Sequence, residues 1–271
     1  MLILNPRPHE EDSGRYYQNE NYLPFASANT PQTLLAAAYD FLRSYNLRWK
    51  RKLVSRFCKS GSLLDVGCGT GEFMDEMRRA GWNVHGLERD AAASAWARER
   101  LQLSVATGSV QALPSFASSF EVITLWHVLE HLYDPSGALE LLHQRLREHG
   151  ILVLAVPNAG GIDAKIYGKN WIAWDAPRHV NHFNLRTLAG GAAMAGFALR
   201  WWQQLPLDAF FNTLMSERLA AAAHHSNLFW WPLRLLRAGI ATGLSLLAGS
   251  NSPFKKNYGG ATIVAVFQKN A

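Results

Sequence analysis

Three glycines spaced two apart, Gly67, Gly69 and Gly71, stand within the run Leu64-Asp65-Val66-Gly67-Cys68-Gly69-Thr70-Gly71-Glu72-Phe73. Leu63, Leu64 and Val66 suit a buried central strand, and the glycines let the chain behind it turn tightly and approach a ligand closely. The spacing is G-x-G-x-G, not the G-x-G-x-x-G that seats a pyrophosphate on a helix N-terminus. Asp65 stands two positions before the first glycine, where a carboxylate repels phosphate but can organise the loop around a cationic ligand. Glu88 ends the next strand, where a doubly wound fold sets an acid across the crevice to accept from ribose hydroxyls. These residues fit a nucleoside-bearing ligand that also carries positive charge.

Two histidine clusters add chemistry. His127-x-x-Glu130-His131 matches a zinc pattern, H-x-x-E-H. The segment comes directly off a strand of the sheet that presents the glycine loop, however, which places it over the crevice. Arg178-His179-Val180-Asn181-His182-Phe183 closes a long Gly-, Trp- and His-rich connection over 158–184. An imidazole there can take the proton of an attacking hydroxyl, so His182 or His179 is a candidate base; the alternative is a polar cluster that orders the loop.

Alternating strands and helices must position these groups. The spacing predicts strands over 62–66, 82–88, 103–106, 120–126, 151–156, 197–205 and 261–267, with helices over 71–80, 90–101, 135–148 and 185–195. Strand-helix alternation implies a parallel sheet with right-handed crossovers. Residues 1–30 read as an irregular arm, and Thr30-Pro31 opens a long amphipathic helix running to Phe57. Three units result: arm and helix over 1–58, a ligand-binding domain over 59–206 plus 257–271, and a helical insertion over 207–256.

With 271 residues, 48% of them hydrophobic, the chain can bury a sizeable core. Its net charge of +6 comes from scattered Lys and Arg without the dense clusters of a nucleic-acid binder. Cys58 and Cys68 are the two cysteines, and a disulfide to Cys68 would obstruct the glycine loop, which favours a reducing compartment. The N-terminus lacks a basic region followed by an apolar stretch, so the expected location is cytoplasmic. The insertion never runs to eighteen apolar residues; its Trp and Arg residues fit peripheral membrane contact, a cap over an apolar substrate, or a face between copies of a homodimer as against a monomer.

The run Asp65-x-Gly67-x-Gly69-x-Gly71 resembles motif I of the class I S-adenosylmethionine (SAM) dependent methyltransferases. Trp126-His127-Val128-Leu129-Glu130-His131-Leu132-x-Asp134-Pro135 and the Arg178 to Phe183 loop resemble two signatures of one large subfamily. The resemblance implies a Rossmann-like, doubly wound seven-stranded α/β sheet of order 3-2-1-4-5-7-6, its last strand antiparallel. It also implies SAM as cofactor and no metal. Gly67, Cys68, Gly69 and Gly71 would admit the methionine part, Asp65 would organise the loop, and Glu88 would hold the ribose. Ser109 and the Val110 backbone would face adenine, Trp126 would line the cofactor, and Tyr17 would close over the sulfonium. His127, His182 and His179 would face the methyl acceptor. The implied reaction is methyl transfer to a small-molecule or lipid-linked acceptor, with oxygen as the expected atom and nitrogen or a glycan as alternatives. A NAD-dependent oxidoreductase and a non-catalytic Rossmann-like module are the readings from other classes.

Overall fold

The structure, a computed structural model, describes residues 1–17, 34–116, 119–205, 207–223, 231–249 and 259–270. In chain order the strands are β1 (Leu2–Ile3), β2 (Ser62–Val66), β3 (Asn83–Glu88), β4 (Ser104–Thr107), β5 (Phe120–Trp126), β6 (Leu146–Pro157), β7 (Asn181–His182), β8 (Phe197–Gln204) and β9 (Thr262–Lys269). The helices are α1 (Leu34–Phe57), α2 (Glu72–Arg79), α3 (Ala91–Leu101), α4 (Pro135–Arg145), α5 (Ile162–Tyr167), α6 (Leu185–Met194), α7 (Asp208–Ala223) and α8 (Trp231–Gly249). The expected start of the first long helix at Thr30 lies outside the described residues.

Seven strands form one sheet in the order β4-β3-β2-β5-β6-β9-β8. Neighbours pair in parallel except β9, which runs antiparallel to both β6 and β8. Numbered within this sheet alone, the order is the expected 3-2-1-4-5-7-6. Side chains alternate between two cores: Leu64, Val66, Ile123 and Leu125 face one layer of helices, and Leu63, Val84, Val122 and Val153 face the other. Apolar residues on both faces are what a sheet covered by helices on both sides requires. The strand order reverses between β2 and β5, and a crevice opens at the carboxyl ends of strands at such a point.

Local chemistry sets the element ends. Asp90 caps α3 by accepting from Ala93 N at 2.7 Å, and Asp134 caps α4 with Pro135 behind it, accepting from Gly137 N at 2.9 Å. Asn184 opens α6 in a reciprocal capping box with Thr187. Two expectations are corrected. The helix drawn over 135–148 ends at Arg145, and Leu146 already pairs with Phe120, because Lys269 Nζ draws the carbonyls of His143 and Leu146 (2.8 and 2.9 Å) to the sheet edge. The irregular arm, too, contains structure: Leu2 and Ile3 pair antiparallel with His182 and Asn181.

Candidate active site

Tight backbone geometry brings the glycine loop to the crevice. Gly67, Gly69 and Gly71 have φ of 71°, 55° and 81°, the left-handed region that side chains disfavour. A Cβ on Gly67 would stand 2.4 Å from Val128 Cγ2, and one on Gly71 would stand 2.6 Å from Leu103 Cδ1. Gly69 differs: nothing lies within 4 Å of where its Cβ would be. Two of the glycines therefore let the loop pack, and the third leaves an open approach to the backbone.

The loop is held chiefly from β3. Gly67 N and Cys68 N donate to Leu87 O at 2.7 and 3.3 Å, and Gly69 N donates to Glu88 Oε2 at 2.7 Å. The other Glu88 oxygen accepts from Asp90 N at 2.8 Å. Asp65 lies 2% exposed beneath the loop and accepts from Thr124 Oγ1 at 2.6 Å. Burial lifts its carboxyl to about 7, against the Thr124 hydrogen bond and the nearby charge of Lys50. Burial also pushes the Cys68 thiol up, so this cysteine is a packing residue, not a nucleophile.

Lys50 is a residue that motif reading missed. It comes from α1, and its ammonium stands 4.4 Å from the centre of the Trp126 ring. Burial lowers its pKa, while Asp65 and Asp208 oppose the shift. Its signal was present in the sequence: Lys50 shares a helical stripe with Leu47, Leu53 and Val54, all packed into the core layer behind β2.

Asp208, at the start of α7, was also missed. It accepts from Thr262 Oγ1 at 2.6 Å and meets His127 Nε2 at 3.2 Å. His127 Nδ1 in turn stands 3.3 Å from Glu130 Oε1. His127 is therefore flanked by the carboxylates of Asp208 and Glu130, and Asp208 also acts on the Lys50 ammonium. Burial works against a charged His127 ring, but contacts with Asp208 and Glu130 outweigh it and push the ring up to about 10. Burial would raise the Glu130 carboxyl, yet the His127 contact and the neighbouring imidazoles hold it down at about 2. His127 is thus a fixed cation at neutral pH, not a base.

A raised folded pKa stabilises fully below the ring's ordinary value of 6.5 and loses that contribution as pH climbs toward about 10. Because the ring is 35% exposed, we expect about 2 kcal/mol, well short of the roughly 5 kcal/mol of an unscreened site. Thermal unfolding from pH 6 to pH 10, in round numbers (about ±0.5), should show wild type losing this margin and His127→Gln lacking it. Parallel pH curves for the two proteins would refute the assignment.

The Arg178 to Phe183 loop covers the wall formed after β5. Val180 N donates to Glu130 O at 3.0 Å, Asn181 Nδ2 donates to Leu132 O at 2.6 Å, and His131 Nδ1 pairs with Arg178 O at 3.1 Å. His179 Nδ1 pairs with Ala173 O at 2.8 Å. The His182 ring stands edge-on to Trp174, 4.8 Å between centroids, and 6.4 Å from that of His179. Burial holds His182 and His131 each near 4, so both rings are neutral at pH 7. His127 is not brought to this lid; it faces the insertion.

The remaining candidates lie around the rim. Ser109 Oγ donates to Gln111 Oε1 at 2.7 Å, and Val110 is buried behind it. The arm runs over the crevice as a 3-10 helix, Glu10–Tyr17, with Arg89 Nη2 donating to Ser13 Oγ at 2.8 Å and Tyr133 Oη donating to Pro8 O at 2.9 Å. The side chain of Tyr17 and all of Tyr22 lie outside the described residues. The indole Nε1 of Trp126 is buried with no hydrogen-bond partner.

These groups fit SAM. Open space at Gly69 admits the ligand, and the Glu88 carboxylate stands beside that opening at the end of β3. One Glu88 oxygen accepts from Gly69 N and the other from Asp90 N, and each keeps a lone pair for a ribose hydroxyl. The unpaired indole of Trp126 and the Lys50 ammonium supply donors for the carboxylate end.

Comparison with known proteins agrees. A family model described as "Methyltransferase domain" matches residues 39–200. A "Probable S-adenosylmethionine-dependent methyltransferase" of Mycolicibacterium smegmatis is 28% identical over 137 residues, covering 50% of this chain and 52% of that protein. A ubiquinone biosynthesis O-methyltransferase of Pseudomonas aeruginosa is 30% identical over 102 residues, 35% of this chain and 44% of that one. The chain thus spans about half the length of the curated relatives it matches. Among solved structures, the cyclopropane synthase MmaA2 of Mycobacterium tuberculosis superposes with a TM-score of 0.58 at 17% identity over 98% of this chain and 99% of that one, a likeness of fold. The match across β2 to β8 and the crevice beneath it place this chain among the class I SAM-dependent methyltransferases.

Proposed function

We propose that this enzyme methylates a hydroxyl oxygen of a small-molecule or lipid-linked acceptor held beneath the 158–184 lid. The observation that carries this reading is His182, a neutral, largely buried imidazole set edge-on to Trp174 on a lid bonded to the crevice wall. Bound SAM supplies an electrophilic methyl group. An acceptor hydroxyl presented to that methyl group would gain a C–O bond at the expense of the C–S bond, and the His182 imidazole would take the hydroxyl proton. His127, fixed as a cation, is no proton acceptor, and with Asp208 it holds α7 against the site. The O-methyltransferase relatives support oxygen as the acceptor atom. Incubation with SAM carrying a 13C methyl group and a fractionated cell extract tests this: a labelled methyl ether is expected, and a methylamine or carbon-bound methyl would refute it.

The insertion supports the lipid-linked form of the acceptor. It packs onto the site through α7: Ile172 N donates to Ser216 Oγ at 3.0 Å, and Thr213 meets Thr242 of α8 at 2.7 Å. The outer face of α8 carries Leu233, Leu236, Ile240 and Leu244, all exposed and one helical stripe apart. No helix among the described residues is long and apolar enough to cross a membrane. Such a stripe instead suits shallow insertion at a lipid surface. The double change Leu236→Glu and Ile240→Glu should lower partitioning onto anionic liposomes about tenfold in co-sedimentation. Equal partitioning would remove the membrane contact.

A further inference from the structure

We propose that Glu130, His131 and His179 bind a divalent transition-metal ion that pins the lid to the wall of the crevice. Each residue offers one ligand atom, and the three atoms lie within 4.8 Å of one another. Two imidazoles and one carboxylate are a donor set for zinc, iron, cobalt or manganese, not for calcium or magnesium. Metal, where bound, joins two parts of the chain, since Glu130 and His131 follow β5 and His179 belongs to the lid.

Three features of the cluster point to an ion. Each ring presses one nitrogen against a backbone carbonyl, His131 Nδ1 on Arg178 O at 3.1 Å and His179 Nδ1 on Ala173 O at 2.8 Å. A carbonyl can only accept, so Nδ1 of each ring carries a proton and Nε2 is the nitrogen left to serve as a ligand atom. That outer arrangement is how proteins orient metal-binding histidines. Glu130 is 1% exposed, and neither of its oxygens has a hydrogen-bond partner, although His127 Nδ1 stands 3.3 Å from one of them. His127 reaches only one of the two oxygens, so the buried carboxylate keeps lone pairs for a second cation. Finally, Asp175 Oδ2 lies 3.7 Å from His179 Nε2 and adds negative charge beside the cluster.

This set is not the H-x-x-E-H pattern. His127 has φ of 58° and turns its ring toward Asp208, while the segment Leu129–His131 is a single 3-10 turn, not a helix. The lid residue His179 takes the place that the pattern would give to His127.

Cobalt(II) is the probe, because its visible absorption reports the ligand set directly. Chelator-treated protein titrated with Co2+ should bind one ion per chain with visible bands that Zn2+ displaces. His179→Gln should weaken binding about a hundredfold and abolish the bands. Glu130→Gln should do the same; because it alters a buried charge, the His179 variant carries the test should that protein fail to fold. SAM binding, measured by calorimetry on the same samples, reports the cofactor site separately, so loss of metal with SAM retained speaks to this proposal alone. Wild-type protein that binds no stoichiometric Co2+, or a His179→Gln protein that binds it as wild type does, would overturn the site.

Discussion

Replacing Glu88 with alanine should weaken SAM binding about a hundredfold, the equivalent of roughly 3 kcal/mol. Two losses add up here. The carboxylate offers its spare lone pairs to the ribose hydroxyls as charge-assisted bonds, the stronger class of hydrogen bond. It also anchors the open glycine loop, since Gly69 N donates to Oε2 at 2.7 Å while Oε1 holds Asp90 N at 2.8 Å. Without it Gly69, whose outer side is empty, loses the acceptor that fixes its backbone. Glu88→Gln separates the two effects, because an amide oxygen can keep one loop bond without the charge; its affinity should fall between wild type and alanine. Calorimetry with SAM and with its demethylated product reads both. Alanine and wild-type affinities within threefold of each other would sink the role given to Glu88.

The floor of this site is legible in the sequence because its parts are close together along the chain. Strand β2, the glycines and Glu88 all fall within residues 62–88, and their geometry follows from local rules: alternation of apolar residues, positive φ, an acid at a strand end. The walls are harder to read, since long-range partners make them. Asp208 enters from the insertion to meet His127, and nothing in its neighbours in sequence marks it. Leu146 turns from helix to strand because Lys269, near the far end of the chain, takes its carbonyl. The pairing of β1 with β7 involves two residues on each side, too few for any periodicity. Asp65 shows the same limit from the other direction: its place in the motif is plain, but its partner Thr124 lies on a neighbouring strand.

Changing His182 to glutamine should lower kcat about a hundredfold at saturating acceptor, with SAM affinity unchanged within threefold. Glutamine keeps the size of the ring and can still hydrogen-bond, but it cannot accept a proton in the required range. The pH profile distinguishes a base from a prop. Burial beside Trp174 holds the His182 ring near 4, so in wild type its basic form persists through neutral pH and disappears only as pH falls through about 4. The acid limb of kcat should therefore lie near pH 4 instead of near the 6.5 of an ordinary imidazole, and the glutamine protein should lack it. Such a low value makes the ring a weak base, suited to taking a proton late, once the forming C–O bond has made the hydroxyl strongly acidic. A wild-type acid limb near 6.5 would place the proton on an unburied imidazole elsewhere and remove His182 from the chemistry. A limb near 4 that survives the substitution would do the same.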